Sequence, residues 1–409
     1  MSEEKLVPKL RFSGFTDEWN EVTLNDVATF SKGKGISKND ISNYGIECVR
    51  YGELYTKYNE MIYNIESKTD LNKNELKLSE KNDILMPCSG ETAIDLATAS
   101  CIQKDQVAIG GDITVIKTNQ YAPFITYYLN QKKTEIAKYA QGVSIVHLYP
   151  KDFKVMNIRI PSINEQKMII GLLEEITKKE QLLESKYQQY QEYKKYLMQQ
   201  IFTQKLRFKN DKQWNVYLLR NFINEYNERM GNKSNLPILS STLNGIFLQN
   251  EYFNKSVSSK DVKNYKIVPN GYFTYRSMSD TGKFRFNIQS IVEVGIISPA
   301  YPVFSTQNID DYFLYYYLNN SNFIKKQILS LKEGGTRYAL SFSKFKKLKI
   351  SLPSLEEQEK IANFLSAVDK KIDLIQTQIQ KMEEFKKGLL QQMFVVQLIL
   401  SLLQNKKHI

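Results

Sequence analysis

Two stretches of the chain carry an apolar residue at every seventh position: Ile169, Ile176, Leu183, Tyr190 and Leu197 in the first, and Ile361, Val368, Ile375, Met382 and Leu389 in the second. In the second stretch a companion series, Leu365, Ile372, Ile379 and Met393, completes a heptad seam. In the first the companion series is rougher, with Leu173, Glu180, Tyr187, Lys194 and Ile201. A seam kept up this long predicts two coiled-coil helices, because only a 3.5-residue repeat keeps one stripe facing a partner helix over such a length. Both starts are marked. Pro161 precedes Ser162 and Glu165, and Pro353 precedes Ser354 and Glu357, each fitting the S-x-x-E capping box. At 1.5 Å per residue, a helix of about 40 residues is a rod of roughly 60 Å.

Ahead of each rod the pattern changes. Short β-branched and aromatic runs at 45–51, 82–86, 112–117, 264–269, 271–276 and 347–353 lie between Gly, Asn, Ser and Asp turns and read as strands. Residues 121–139 and 310–329 read as helices. Each block has about 140 residues, the size of one domain.

The chain repeats itself. PSINEQ at Pro161 returns as PSLEEQ at Pro353, and YKKYLMQQIF at Tyr193 returns as FKKGLLQQMF at Phe385, both at an offset of 192. Over the 42 positions from Pro161 to Phe202, 17 are identical at that offset, which marks a duplication. KLRF occurs at Lys9 and again at Lys205, each followed by one of the two tryptophans, Trp19 and Trp214. FITYYLN at Phe124 matches FLYYYLN at Phe313, and NDILMPCSG at Asn82 loosely matches NGYFTYRSM at Asn270, while the two blocks agree far less than the long helices do. The expected organisation is an N-terminal segment (1–19), a first block (20–161), a central helical region (162–208), a second block (209–353), and a distal helical region with an apolar tail (354–409). The expected fold class is α/β (α+β): two globular mixed α/β domains separated by two long antiparallel coiled-coil helices, related by a pseudo-twofold internal repeat.

Composition narrows the function. The chain has 409 residues, 42% hydrophobic and 24% charged, as folded proteins do. Its longest apolar stretch, Met393 to Leu403, is too short to span a bilayer, and the acidic start lacks a secretory pattern; both suggest a cytoplasmic protein. Three scattered cysteines (Cys48, Cys88, Cys101) suggest reduced thiols, and two histidines (His147, His408) leave little room for zinc or His-based catalysis. No phosphate loop, dinucleotide-binding glycine motif, zinc-protease motif or nucleophile elbow is present, nor the Asn/Asp-Pro-Pro-aromatic segment of amino-methyltransferases. A non-catalytic chain that holds neither metal nor cofactor is expected. The net charge of +12 is concentrated: residues 212–352 carry +10, whereas residues 20–160 are neutral. A polyanionic partner is therefore expected at the second block first.

Candidate DNA contacts are side chains able to bond phosphates or base edges from loops on a rigid frame. In the first block these are Lys32, Lys34 and Lys38 in a Gly/Ser loop, Arg50 and Tyr51 at a strand end, and Ser89, Glu91 and Thr92 after NDILMPC. In the second they are Arg276, Ser277, Ser279, Lys283 and Arg285 in YRSMSDTGKFR, and Arg337 and Tyr338 in GGTRY. The two arginines of the first of these segments have the fork geometry that suits guanine. His147 aligns with Ala339 and reads as structural. The residues alone leave open a coiled-coil scaffold pairing two protein-binding domains, and an RNA-binding protein.

The order of these parts resembles the specificity subunit of type I restriction-modification systems. The likeness is carried by the P-S-x-x-E-Q helix starts at Pro161 and Pro353, the Q-Q-[IM]-F ends at Gln199 and Gln391, and the KLRF and Trp entries. QGVSIVHLYPKDFKVMNIRIP, repeated as EGGTRYALSFSKFKKLKISLP, belongs to the same pattern, and the likeness covers nearly the whole chain. The resemblance implies that the two blocks are target recognition domains, each reading one half of a bipartite duplex site. It implies that the helices set the gap and dock two methyltransferase subunits. It further implies that S-adenosylmethionine, ATP and Mg serve partner methyltransferase and restriction/translocase subunits and are not bound by this chain. The apolar tail after QQMF departs from the first copy, which continues TQKLRF.

Overall fold

The computed structural model describes residues 5–142, 146–208, 213–231, 236–252, 262–331, 338–394 and 396–399. Four helices reach ten residues among them: α1 (Ala122–Gln131), α2 (Ile163–Phe202), α3 (Asp311–Asn320) and α4 (Leu355–Phe394). The chain divides into two compact units, residues 1–182 with 379–409, and residues 183–378. Each unit thus joins one mixed α/β block to the start of one long helix and the end of the other.

In the first unit two five-stranded sheets form. One runs in the order Ala28–Lys32, Ile113–Thr118, Ile84–Pro87, Ser100–Ile102, Met61–Ile62, and the other Ile41–Ser42, Ser67–Thr69, Ile46–Val49, Ala108–Ile109, Lys77–Leu78. Both are antiparallel apart from one parallel pair each. The second unit has a four-stranded antiparallel sheet, Ile223–Glu225, Val303–Thr306, Phe273–Tyr275, Phe286–Ile288, and several two-stranded ladders. All six expected strands are present. The expected helix at 310–329 is two helices, because Ser321 ends α3 and its hydroxyl caps the next, Asn322–Ser330.

The seam of the long helices is shielded at every one of its positions, including the rough ones. Within each unit the two helix segments run antiparallel, and the charged seam residues explain the roughness. In the first unit Glu180 accepts from Lys386 at 2.9 Å with both side chains more than four-fifths buried, and in the second Lys194 pairs with Asp369. Lys194 and Lys386 are equivalent at the 192-residue offset, so both copies place a lysine in the seam and meet it with an acid from the other helix. A charge in a seam is tolerated only when paired.

The repeated motifs are anchors. Arg11 of the first KLRF forks onto Glu165 at 2.7 and 2.8 Å, and Arg207 of the second onto Glu357 at 2.7 and 2.9 Å. Both glutamates are 1% exposed. The N–H of each Glu donates to its serine, as half of a capping box does, and the carboxylate receives an arginine from a distant segment. The neighbouring Gln166 and Gln358 bind the carbonyls of Pro161 and Pro353 and accept the N–H of Tyr121 and Asp310, at the starts of α1 and α3. Trp19 meets Phe124 edge-on at 5.8 Å, as Trp214 meets Phe313 at 5.8 Å. The phenylalanine of Q-Q-[IM]-F closes each core: Phe394 stacks on Phe124, and Phe202 packs edge-on against Phe313 and Tyr317.

The N-terminal and C-terminal segments lie together. Lys5–Pro8 pairs antiparallel with Val396–Ile399, so the described residues of the tail form a strand. Next to it the N–H of Leu10 donates to the carbonyl of Gln392 at 3.1 Å. In the second unit, where the chain is covalently continuous, Leu206 donates to Gln200 at 3.1 Å.

Candidate nucleic-acid interface

In the first unit, five of the sequence candidates line one open groove of about 910 Å³: Lys32, Lys34, Lys38, Arg50 and Tyr51. The neutral charge of the block therefore hides a local gathering of cations. The groove floor is backbone. Lys34 N–H donates to Ile109, and a Cβ on Gly33 would stand 2.0 Å from the Gly110 carbonyl, so only glycine lets the lysine loop lie against Gly110 and Gly111. Ser37 caps the short turn that carries Lys38, and the Ser37 bonds hold the Asp40 carboxyl below its usual value. Asp112 lies 3.6 Å from Lys32.

Arg50 and Tyr51 sit on a turn built around Glu53, a residue sequence reasoning missed. Its carboxylate, 3% exposed, accepts the N–H of Arg50 at 2.9 Å, the Ser67 hydroxyl at 2.5 Å and Lys57 at 3.2 Å. Two of these partners are local, three residues before it and four after, while Ser67 comes from the strand Ser67–Thr69, a pairing that local patterning does not show. The floor glycines were more legible, since Gly110-Gly111 stands out as a pair in the sequence.

Ser89, Glu91 and Thr92 are not part of the groove lining. Ser89 is buried in a two-residue ladder opposite His147, and the Thr92 side chain accepts from Asp95 N–H to cap Ala93–Leu96. Glu91 is exposed on the loop between. Tyr55 stands near them: burial, with the nearby Tyr51, Asp95 and Glu91, pushes its hydroxyl up. His147 stacks on Tyr149 at 5.8 Å.

The second unit builds the same ladder from other residues. Met278 pairs with Ala339 and Ser279 with Tyr338, and Leu340 donates to the Ser277 carbonyl as Leu148 does to that of Cys88. The ladder brings Ser277, Ser279 and Tyr338 together, with Arg276 exposed beside them. Lys283 is exposed farther along the segment. Arg285 is drawn aside: its guanidinium lies 5.1 Å over the Tyr315 ring and bonds the Tyr315 hydroxyl, so it braces α3. Arg337 lies outside the described residues. The three cysteines are buried free thiols, and burial pushes Cys48 up to about 11. Among the described residues, no helix is long and apolar enough to cross a membrane.

Two unlike polar faces are thus carried on one duplicated frame. The profile of a known family, described as the type I restriction modification DNA specificity domain, matches residues 16–192 and again 212–384. The chain belongs to that family, and it is a type I restriction-modification specificity subunit. The type I restriction enzyme MjaVIII specificity subunit of Methanocaldococcus jannaschii is 23% identical over 408 residues, covering 91% of each chain. The putative MjaX specificity subunit of the same organism is 33% identical over 84 residues, 20% of this chain and 19% of that one. In fold, the chain is similar to the crystal structure of the type I restriction-modification S subunit from M. genitalium, with a TM-score of 0.59 at 16% identity over 96% of this chain and 100% of that one. A chain from a structural study of complex assembly and conformational transition of the type I R-M system gives 0.55 at 14% identity, over 94% and 99%.

Proposed function

We propose that each block reads one half of a bipartite double-stranded DNA site, that the long helices set the gap between the halves, and that two methyltransferase subunits dock on those helices. S-adenosylmethionine, ATP and Mg belong in this reading to methyltransferase and restriction/translocase subunits, and this chain supplies the address. The observation that carries it is the contrast within the duplication. The anchors recur side chain for side chain, while the loops that could touch DNA share a ladder and carry different residues at all four of its positions.

Docking in two copies is supported by the exposed apolar side chains of the helices. Leu182 and Phe385 are 71% and 55% exposed in the first unit, and Leu374 and Tyr193 are 50% and 47% exposed in the second. Leu182 is equivalent to Leu374, and Tyr193 to Phe385, at the 192-residue offset. An exposed apolar pair retained in both copies fits one partner bound twice.

The test is a methylome. This chain is expressed with its cognate methyltransferase in a host without adenine methylation, and N6-methyladenine is mapped. An interrupted two-part motif that depends on this chain is expected. A contiguous motif would mean that one block is silent, and no methylation from a folded, bound complex would defeat the reading.

A further inference from the structure

The groove of the first unit contains a donor that the protein leaves unsatisfied. Arg50 Nε is buried and has no hydrogen-bond partner among the described residues. The residue itself is firmly held, its N–H on Glu53 and its carbonyl accepting the N–H of Glu53 at 3.0 Å. A buried charged donor without an acceptor carries a desolvation penalty, which an acceptor brought into the groove beside it would relieve. Arg285 Nε is also unpaired, but that guanidinium already bonds Tyr315 and stacks on its ring.

We infer that Arg50 is the floor contact of a phosphate cradle: the groove seats the sugar-phosphate backbone of one DNA strand, with Lys34 and Lys38 on its rim. This rests on the DNA reading above and says which part of DNA the groove meets. Shape favours backbone over base edge. Base edges lie at the bottom of the DNA grooves and are reached by protruding groups, whereas the phosphate ridge is convex and fits a concavity. The glycine floor, where Gly33 and Gly110 touch backbone to backbone, has no side chain to hold the ridge away. Charge agrees. Four cations line the groove against the three acids Asp40, Glu75 and Asp112. Of these acids, Asp112 faces Lys32 and Asp40 accepts the N–H of Ser37. A guanidinium on the floor can give two parallel N–H bonds to one phosphate.

The experiment uses the complex of this chain with its methyltransferase, and compares wild type with Arg50→Gln and Arg50→Lys. Duplex affinity is measured across salt concentrations and the methylated motif is mapped for each. Arg50→Gln is expected to lower affinity about tenfold at low salt and to flatten the salt slope by about 0.9, the value for one lost phosphate contact. Arg50→Lys should restore the slope, and all three proteins should methylate the same sequence. A base position that relaxes in one half-site with the slope unchanged would make Arg50 a base reader and overturn the cradle. So would an Arg50→Gln complex with affinity, slope and motif all unaltered. If Arg50→Gln does not fold, Lys34→Gln with Lys38→Gln on the rim replaces it, with an expected slope loss of up to about 1.8 and an unchanged motif. A wild-type complex with no salt dependence would fail the DNA reading itself, which separates the two claims.

Discussion

At their bases the two units repeat each other residue for residue. Arg11 grips Glu165 as Arg207 grips Glu357, Trp19 meets Phe124 as Trp214 meets Phe313, and a phenylalanine at a helix end closes each core. At their faces they part company. The first unit offers a glycine-floored groove lined by Lys32, Lys34, Lys38 and Arg50, and the second an open ladder with Arg276, Ser277 and Ser279. The base carries the duplicated identity and the face carries the divergence. What must hold the domain is fixed by buried partners, each with one acceptable mate. What must read is free to change, because an exposed side chain has few neighbours to satisfy.

The strongest way to break this comparison is to exchange residues 20–160 for another recognition block. One half of the methylated motif should change completely and the other not at all; changes in both halves would show that the faces are not independent. Next is the base itself. Arg11→Ala leaves the Glu165 carboxylate, 1% exposed, without its fork, and Arg207→Ala does the same to Glu357. Each should cost about 3–5 kcal/mol, the range for a buried pair losing one partner. Hydrogen exchange should place the loss in the unit that carries the substitution, and a loss spread evenly over both would argue against separate frames.

A third comparison concerns the helices. Leu182→Ser with Phe385→Ser, and Leu374→Ser with Tyr193→Ser, should each weaken methyltransferase binding roughly 100-fold at one of two sites, as truncated interface anchors do. Calorimetry reads both stoichiometry and affinity, and an effect at one pair alone would deny the twofold docking.

The smallest effect sharpens an asymmetry. Tyr316 donates to Asp369 at 2.6 Å in the second unit, whereas Tyr63 donates to Glu174 at 3.3 Å from a half-exposed position in the first. Tyr316→Phe should cost about 1.5–3 kcal/mol, as loss of a bond to a charged group does, and Tyr63→Phe a few tenths. Denaturant midpoints would show whether the order holds.

The frame was legible in the sequence because duplication displays it twice. The heptad series, both helix starts, six strands and the Trp entries could all be read, and the seam positions are shielded as the period demands. The roles of the motif residues were less legible. Glu165 looks like half of a capping box until Arg11, 154 positions away, takes its carboxylate, and local patterning holds no trace of that pairing. The face was legible only as a set of residue types. Sequence could name Lys32 and Arg50, but their convergence depends on Gly33 lying against Gly110, and on Glu53 tying the Arg50 turn to Ser67. Arg285 looked as suitable as Arg276 until Tyr315 claimed it.

The bond from Leu10 to Gln392 copies the bond from Leu206 to Gln200, although only the second spans a continuous stretch of chain. One joint is therefore made within a single run of backbone and the other between two segments far apart in sequence, so the bond itself, and not the peptide link beside it, is what the duplication has kept.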